Sequence, residues 1–436
     1  MTTKQTNEAS WLSHPISYVR LNGFKSYFDE QTVDLAPLTI LGGANNSGKS
    51  SILQPLLLMK QTLDIMPFDP GPLKLDGPNV AFTDCAQFLS KRPGQEQVSE
   101  FTVAIGLGRH DEARLTFGRS GAAVELREAT YRHRDAVVTL RPGEAPPDYA
   151  KHPWFVSHVP PGAKSTIRYL CFALPHLRSR QTATLPPPLD SLIEELLWLM
   201  HLTGLRGQPE RLFSRSAVGR GNPGLFHLRT PAMVAAWREG KDSEGRELND
   251  ALRRLGITWK AEAVAIDAAS IEVRIARTLE PFQGSAHDLV SIADVGFGVS
   301  QSFPVVVALI AASAGETVYI EEPEIHLHPR AQRAMADLIA DAVRRGVRVI
   351  VETHSEVIVT RLQWNIARED KPLDPKKVVA HWFTRDPRTG ATTVRTERPD
   401  GSGALGEWPS DFAEVASEVD EEYSAAAWKR LPVGRP

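Results

Sequence analysis

Gly43-Ala44-Asn45-Asn46-Ser47-Gly48-Lys49-Ser50 lies between a short apolar run, residues 38–41, and a helical stretch, residues 51–59. This is a complete phosphate-binding loop in the strand, loop, helix setting that the motif needs. Glycines let the backbone bend so that successive N–H groups point inward at a β-phosphate. Lys49 supplies a mobile positive charge for the β/γ oxygens, and Ser50 offers a hydroxyl to Mg²⁺. The candidate nucleotide-binding residues are therefore Gly43, Asn45, Asn46, Ser47, Gly48, Lys49, Ser50 and Ser51. A plain Gly/Asn-rich turn is the competing reading, and the flanking strand and helix disfavour it.

Composition narrows the class of protein. The chain has 436 residues, a formal net charge of −3 and two cysteines, Cys85 and Cys171. That length suits two or three domains, or one large core with insertions. Near-neutral charge gives no global basic field for nucleic acid, so any such contact must be local. Two cysteines far apart suggest neither a disulfide framework nor a Cys-based zinc site. No run of eighteen apolar residues occurs and residues 1–8 are polar, so neither a membrane span nor a secretory leader is expected. The chain reads as cytoplasmic.

Working outward from the loop, residues 16–27 alternate apolar and polar and turn at Gly23, and residues 31–35 add a strand-like run. Strand patterns return at 101–107, 113–117 and 122–126, predicting an antiparallel sheet beside the nucleotide core. A stretch rich in Pro, Gly and His, residues 142–161, marks a boundary. From about 165 to 260 the pattern is mostly helical, with 191–200 the best helix. Its central part carries Arg206, Arg211, Arg215, Arg220 and Arg229 among Phe213, Phe226 and Trp237, with Arg238 just beyond. Such interleaving suits a nucleic-acid backbone or a phosphate. The acids Glu210, Glu239, Asp242, Glu244 and Glu247 close by suit a solvated face with internal ion pairs, the favoured reading because charge runs are usually surface. Strands resume at 261–266 and 271–277, and no solenoid repeat or long heptad run is present.

The second chemical cluster opens with Val318-Tyr319-Ile320-Glu321-Glu322-Pro323, an apolar strand ending in two carboxylates. Beside a phosphate loop, one such carboxylate serves the Mg²⁺ shell and the next deprotonates the attacking water. Glu321 is assigned to the metal together with Ser50, and Glu322 to the catalytic base. Glu324, His326 and His328 have no third imidazole or thiol at ligand spacing, and Pro329 opens an amphipathic helix, so a turn is expected there and not a zinc site. The next strand, residues 347–353, leads to His354, placed to sense the γ-phosphate and align the water; the single intervening helix puts both strand ends on one edge. Finally, Asp294-Val295-Gly296-Phe297-Gly298-Val299-Ser300-Gln301 is a Gly-rich loop before an apolar helix. Gly298 and Ser300 are candidates to meet the γ-phosphate of a nucleotide held by a second copy, with a plain N-cap as the competing reading.

Taken in order, the loop at 43–50, the loop at 296–301, Glu321-Glu322 and His354 resemble the ABC-class ATPases. The chain is similar to their soluble branch, the SMC-like, RecF-like and above all OLD-like ATPases, with residues 321–329 resembling the OLD-like branch and anti-phage relatives of the Septu type. Leu21-Asn22-Gly23-Phe24-Lys25-Ser26-Tyr27 resembles their first strand and turn, which implies that Lys25 reaches the nucleotide. The signature Leu-Ser-Gly-Gly-Gln is absent, the usual metal-side Asp is Glu321, and Gln87 is the best-placed Q-loop residue, though a surface glutamine is its favoured reading. About eighty residues follow His354, too few for the Toprim nuclease domain of OLD-like nucleases, and a helix from 411 to 429 with a solvated acidic face is expected there.

The resemblance implies an α/β fold: a split ABC-type P-loop core with an antiparallel β subdomain and a mainly helical insertion. Expected boundaries are 14–145 for the first half of the core, 146–260 for the insertion, 261–384 for the second half and 385–436 for a C-terminal cap. It further implies an ATP- and Mg²⁺-dependent ATPase working as a homodimer or higher oligomer, in phage or plasmid defence or DNA repair. A separate effector protein, nuclease or toxin, and double-stranded DNA are the candidate partners; a membrane is not. A nucleotide-dependent scaffold and the energy subunit of a transporter are the alternatives.

Overall fold

The computed structural model describes residues 15–65, 72–142, 166–169, 173–176, 187–215, 222, 224–240, 243–282, 288–409 and 412. The chain opens with β1 (Ile16–Asn22) and β2 (Gln31–Asp34), antiparallel with Leu21 opposite Gln31. Next comes β3 (Leu38–Gly42), buried at all five positions, which is why it shows no polar alternation. The phosphate loop leads from β3 into a short 3₁₀ turn and α1 (Gln54–Ile65). Four long strands follow: β4 (Glu100–Leu107), β5 (Asp111–Ser120), β6 (Ala123–His133) and β7 (Ala136–Leu140). With β2 and β1 they form the expected antiparallel sheet, in the order β2-β1-β4-β5-β6-β7. The β5–β6 hairpin closes through Gly121-Ala122, with Gly121 at φ 62°, as a two-residue turn that follows the strand twist requires.

The middle of the chain is mainly helical among its described residues, as expected, and also contributes short strands. It contains a hairpin, β8 (Thr166–Tyr169) and β9 (Ala173–His176), then α2 (Pro187–Trp198), β10 (Met200–Leu202), β11 (Phe213–Ser214), α3 (Thr230–Glu239) and α4 (Ser243–Arg254). The predicted helix at 191–200 thus begins four residues earlier, at a proline suited to a first turn, and stops before Met200. Strand β10 pairs in parallel with the carboxylate strand, so the region read as a helical insertion supplies an edge strand of the core sheet. The strands β12 (Ala261–Ala265), β13 (Ser270–Ala276) and β14 (Leu289–Ser291) form a small sheet with β11.

The second half completes the core with α5 (Phe297–Ala311), β15 (Thr317–Glu321), α6 (Pro329–Arg344), β16 (Arg348–Thr353), α7 (Glu356–Ala367), β17 (Val378–Arg385) and β18 (Thr392–Glu397). Their sheet runs β10-β15-β16-β3-β17-β18, parallel except for β18. Alternate residues of each strand feed opposite cores: Val318, Ile320, Val349 and Val351 enter one, Tyr319 and Ile350 the other. The register aligns Glu321 with Glu352, Glu352 with Leu41, and Thr353 and Trp382 with Gly42, so the strands end together at one edge. Such an edge of a parallel sheet is where ligands bind. The expected boundary at 384 falls inside the β17–β18 hairpin, which belongs to the core sheet, so no cap begins there. The helix expected from 411 to 429 lies outside the described residues, apart from Phe412, which packs on Trp382 and Trp408.

Candidate nucleotide site

The loop leaving β3 owes its shape to three residues. Gly43 and Gly48 sit at φ 146° and 104°, and a Cβ on Gly48 would lie 2.6 Å from Thr392 Oγ1. Asn46 at φ 62° is the kind of non-glycine residue that tolerates the left-handed region. Asn45 and Asn46 are exposed at the tip, whereas Ser47 and Lys49 are buried. Ser47 Oγ has no hydrogen-bond partner among the described residues, an unsatisfied buried hydroxyl within the loop. Lys49 Nζ donates to the carbonyls of Gly43 at 2.9 Å and Ala44 at 2.8 Å.

Bracing comes from both ends of the sequence. Thr392 Oγ1 donates to Ser47 O at 2.8 Å and lies 2.7 Å from Ser26 Oγ, while Tyr27 Oη donates to Gly48 O at 2.8 Å. Lys25, expected to reach the nucleotide, has φ 50° and its ammonium 5.0 Å from the Phe82 ring centroid, and burial lowers its pKa. It stands next to the bracing Ser26, with its charge against an aromatic face.

The carboxylates divide their work unexpectedly. Strand β16 lies between β15 and β3, so Glu321 is two strands from the loop and not beside it. Both Glu321 oxygens are engaged: Oε1 lies 3.0 Å from His201 Nε2, and Oε2 accepts from Gly204 N–H at 3.0 Å. Burial works to raise its pKa, but the hydrogen bonds from His201 and Gly204 hold it below the usual carboxylate range. Glu352, which the sequence reading passed over, is the carboxylate that touches the loop. Its Oε1 accepts from Ser50 Oγ at 2.7 Å and its Oε2 from Tyr319 Oη at 2.9 Å. Burial, with Glu321 nearby, pushes it up to about 7. Ser50 and Glu352 offer neighbouring oxygen donors of the hard kind that fits Mg²⁺.

Glu322 and His354 do converge, with Glu322 Oε2 2.6 Å from His354 Nε2. That contact is the main cause of a raised His354 pKa. His354 Nδ1 lies 3.5 Å from Lys49 Nζ, which connects the Glu322–His354 pair to the phosphate loop. Glu324 supports the arrangement from behind: its Oε1 accepts from Thr353 Oγ1, His354 N–H and Ser355 N–H at 2.5, 2.9 and 3.0 Å. Burial and Glu322 raise it to about 7. The turn expected at 324–329 is present, with His328 capping α6 and His326 packed edge-on against Phe297.

The Gly-rich loop meets this turn. Gly296 is the N-cap of α5, and a Cβ on Gly298 would lie 2.8 Å from His326 O. Ser300 is buried and its Oγ donates to Phe297 O at 2.9 Å, within the first turn of its own helix. Gln301 accepts from Arg206 N–H at 3.1 Å, and the Arg206 guanidinium donates to the carbonyls of Gln301 and Glu321. Arg206 is thus a buried strut whose pKa burial lowers to about 10, not part of a nucleic-acid face. Its Nε and the Nδ1 of His227, both without partners among the described residues, line a cavity of about 380 Å³ with Phe213 and Phe303.

The other arginines follow the ion-pair reading: Arg211 with Asp294 at 2.6 Å, Arg215 with Glu239 at 3.2 Å and Arg238 with Glu262 at 3.4 Å. Arg229 donates to Asn222 Oδ1, and Arg220 lies outside the described residues. Gln87 is exposed and bonds Thr83, so it is the surface glutamine that was favoured. Sequence reading missed His201, Gly204, Glu352 and Thr392. Only Glu352 carried a usable signal, a carboxylate ending a buried strand.

Two family models each match part of the chain. One described as AAA ATPase domain matches residues 15–100, which hold the phosphate loop. The other, described as AAA domain, putative AbiEii toxin, Type IV TA system, matches residues 227–360, which hold Glu321, Glu322 and His354. No curated protein matches. Among solved structures the chain is similar to the SmcHead bound to the C-winged helix domain of ScpA, at 13% identity and TM-score 0.46, over 88% of this chain and 98% of that one. It is also similar to the SMC head domain from Thermotoga maritima, at 12% identity and TM-score 0.38, over 87% and 98%. A third is the Smc head domain with an extended coiled coil bound to the C-terminal domain of ScpA derived from Pyrococcus furiosus, at 12%, TM-score 0.45, over 94% and 100%. Two stretches of the chain are thus similar to ATPase domains, and its phosphate loop and carboxylates lie at one edge of the sheet of an α/β core.

Proposed function

We propose that this chain is an ATP-hydrolysing molecular switch of ABC type, two copies of which close head to tail around Mg²⁺-ATP. The observation that carries the reading is the meeting of Lys49, Glu322 and His354 at the edge where the phosphate loop begins. Backbone N–H groups of the loop hold the phosphates, and Lys49 leaves its carbonyl partners for the β/γ oxygens. Glu322 takes a proton from the attacking water, and His354 aligns that water. Ser50 and a carboxylate of this edge would hold magnesium, which when bound would neutralise charge on the transferred phosphoryl group. Gly298 and Ser300 are assigned to the γ-phosphate of the other copy, supported by their place at the start of α5 beside the turn after Glu322.

Closing and reopening would change the grip on a partner, in phage or plasmid defence or in DNA repair. A separate effector, nuclease or toxin, is favoured over double-stranded DNA because Arg211, Arg215 and Arg238 are paired within the chain. The reading keeps the chain in the cytoplasm; no helix among the described residues is long and apolar enough to cross a membrane. Light scattering with saturating ATP tests it. Glu322→Gln should trap an ATP-bound dimer with turnover down about 100-fold or more. A monomer with undiminished turnover would remove both the base and the dimer. A scaffold with little hydrolysis is the second reading, favoured by Lys49 lying on its own loop carbonyls; ATP-dependent dimers of wild type without turnover would select it.

A further inference from the structure

We infer that Glu352 is the carboxylate through which this chain holds the divalent cation of its nucleotide, and that Glu321 is a positioning residue behind it. The inference rests on the ATPase reading above. Three observations carry it. Strand β16 hydrogen-bonds directly to β3 and sets Glu352 opposite Leu41, one strand from the loop, whereas β15 lies a strand further out. Ser50 Oγ and Glu352 Oε1 are 2.7 Å apart. Two neighbouring ligands of an octahedral Mg²⁺, each about 2.1 Å from the ion, lie roughly 2.9 Å apart, so this pair already has nearly the spacing of one edge of the coordination shell.

Glu321, by contrast, has both oxygens engaged, by His201 and by the Gly204 N–H. It would have to give up those partners to reach the ion. His201 is fully buried, stacked on Tyr319 at 5.0 Å, with its other nitrogen 3.1 Å from Asn79 Oδ1. Tyr319 in turn donates to Glu352. The chain Asn79, His201, Glu321 therefore fixes the end of β15, while Glu352 faces the Ser50 hydroxyl.

Binding of mant-ADP in EDTA, followed by Mn²⁺ titration of the loaded protein by electron paramagnetic resonance, separates the two carboxylates. Glu352→Gln is expected to weaken Mn²⁺ about tenfold or more, and Glu321→Gln less than about threefold while lowering kcat, with metal-free mant-ADP affinity kept in both. Equal losses, or the larger loss in Glu321→Gln, overturn the assignment. If Glu352→Gln melts before it can be titrated, Glu352→Asp replaces it: Mn²⁺ weakened about three- to tenfold supports the inference, and wild-type affinity overturns it. A wild-type protein that binds no mant-ADP overturns the ATPase reading itself, and that result appears before any metal is added.

Discussion

Glu322 stands at φ 47°, a backbone region that non-glycine residues usually avoid, and it is the residue proposed to take the proton. Its N–H donates to Glu352 O at 2.8 Å, so the neighbouring strand holds the conformation. Asn tolerates the left-handed region better than Glu. Glu322→Asn should therefore melt at the same temperature or higher while losing turnover about 100-fold or more, as calorimetry and a phosphate-release assay would show. His227 supplies a second test at this scale. Burial, helped by Arg206 and His201, lowers its pKa to about 4. The unfolded chain then takes up the proton first as pH falls from about 6.5, so this share of stability is present above that pH and is lost as pH falls toward 4. Relative to His227→Gln, the wild type should lose about 1–2 kcal/mol between pH 7 and 4.5 in denaturant titrations, allowing for partial exposure. The convergence of Lys49, Glu322 and His354 was legible because the first two sit in contiguous motifs and the third lies at the end of the strand that follows through one helix. His201 and Thr392 were not, because a lone His or Thr has no local pattern and each gains its role only through a distant partner.

Among the elements, the β17–β18 hairpin holds the phosphate loop more directly than any neighbour in sequence. Thr392 spans Ser47 O and Ser26 Oγ with one hydroxyl. Thr392→Val keeps the shape and removes both bonds, a loss of about 1–2 kcal/mol. Nucleotide should bind roughly 3–10-fold more weakly, measured with mant-ADP, while secondary structure by circular dichroism stays unchanged. The buried strands β3, β15 and β16 could be read from sequence because burial on both faces writes a mostly apolar run without polar alternation. Strand β10 could not: three residues at the end of a helix carry no period, and its pairing with β15 is set by tertiary packing. The same limit misplaced the boundary at 384, since a hairpin with one exposed polar strand resembles the start of a surface cap.

Across the whole molecule, Arg211, Arg215 and Arg238 of the middle region are engaged in internal ion pairs, and Arg206 is buried against Gln301 of α5. Double-stranded DNA should therefore change turnover by less than about twofold near 0.15 M salt, whereas steep, salt-sensitive stimulation would return this region to a DNA-contact role. The division into two halves around a middle region was legible from the order of the motifs; the coupling between the parts was not, because it runs through Arg206, Gln301 and Glu321 across long sequence separations. The core sheet also sets an order of events at the ribosome. Strand β3 is buried on both faces, yet both of its hydrogen-bonded neighbours, β16 and β17, are translated more than 300 residues later. At about 5–20 residues per second it emerges roughly 15–70 s before either partner exists. The newborn chain is therefore expected to need a chaperone through that interval, and to acquire nucleotide affinity only once its C-terminal hairpin has left the exit tunnel.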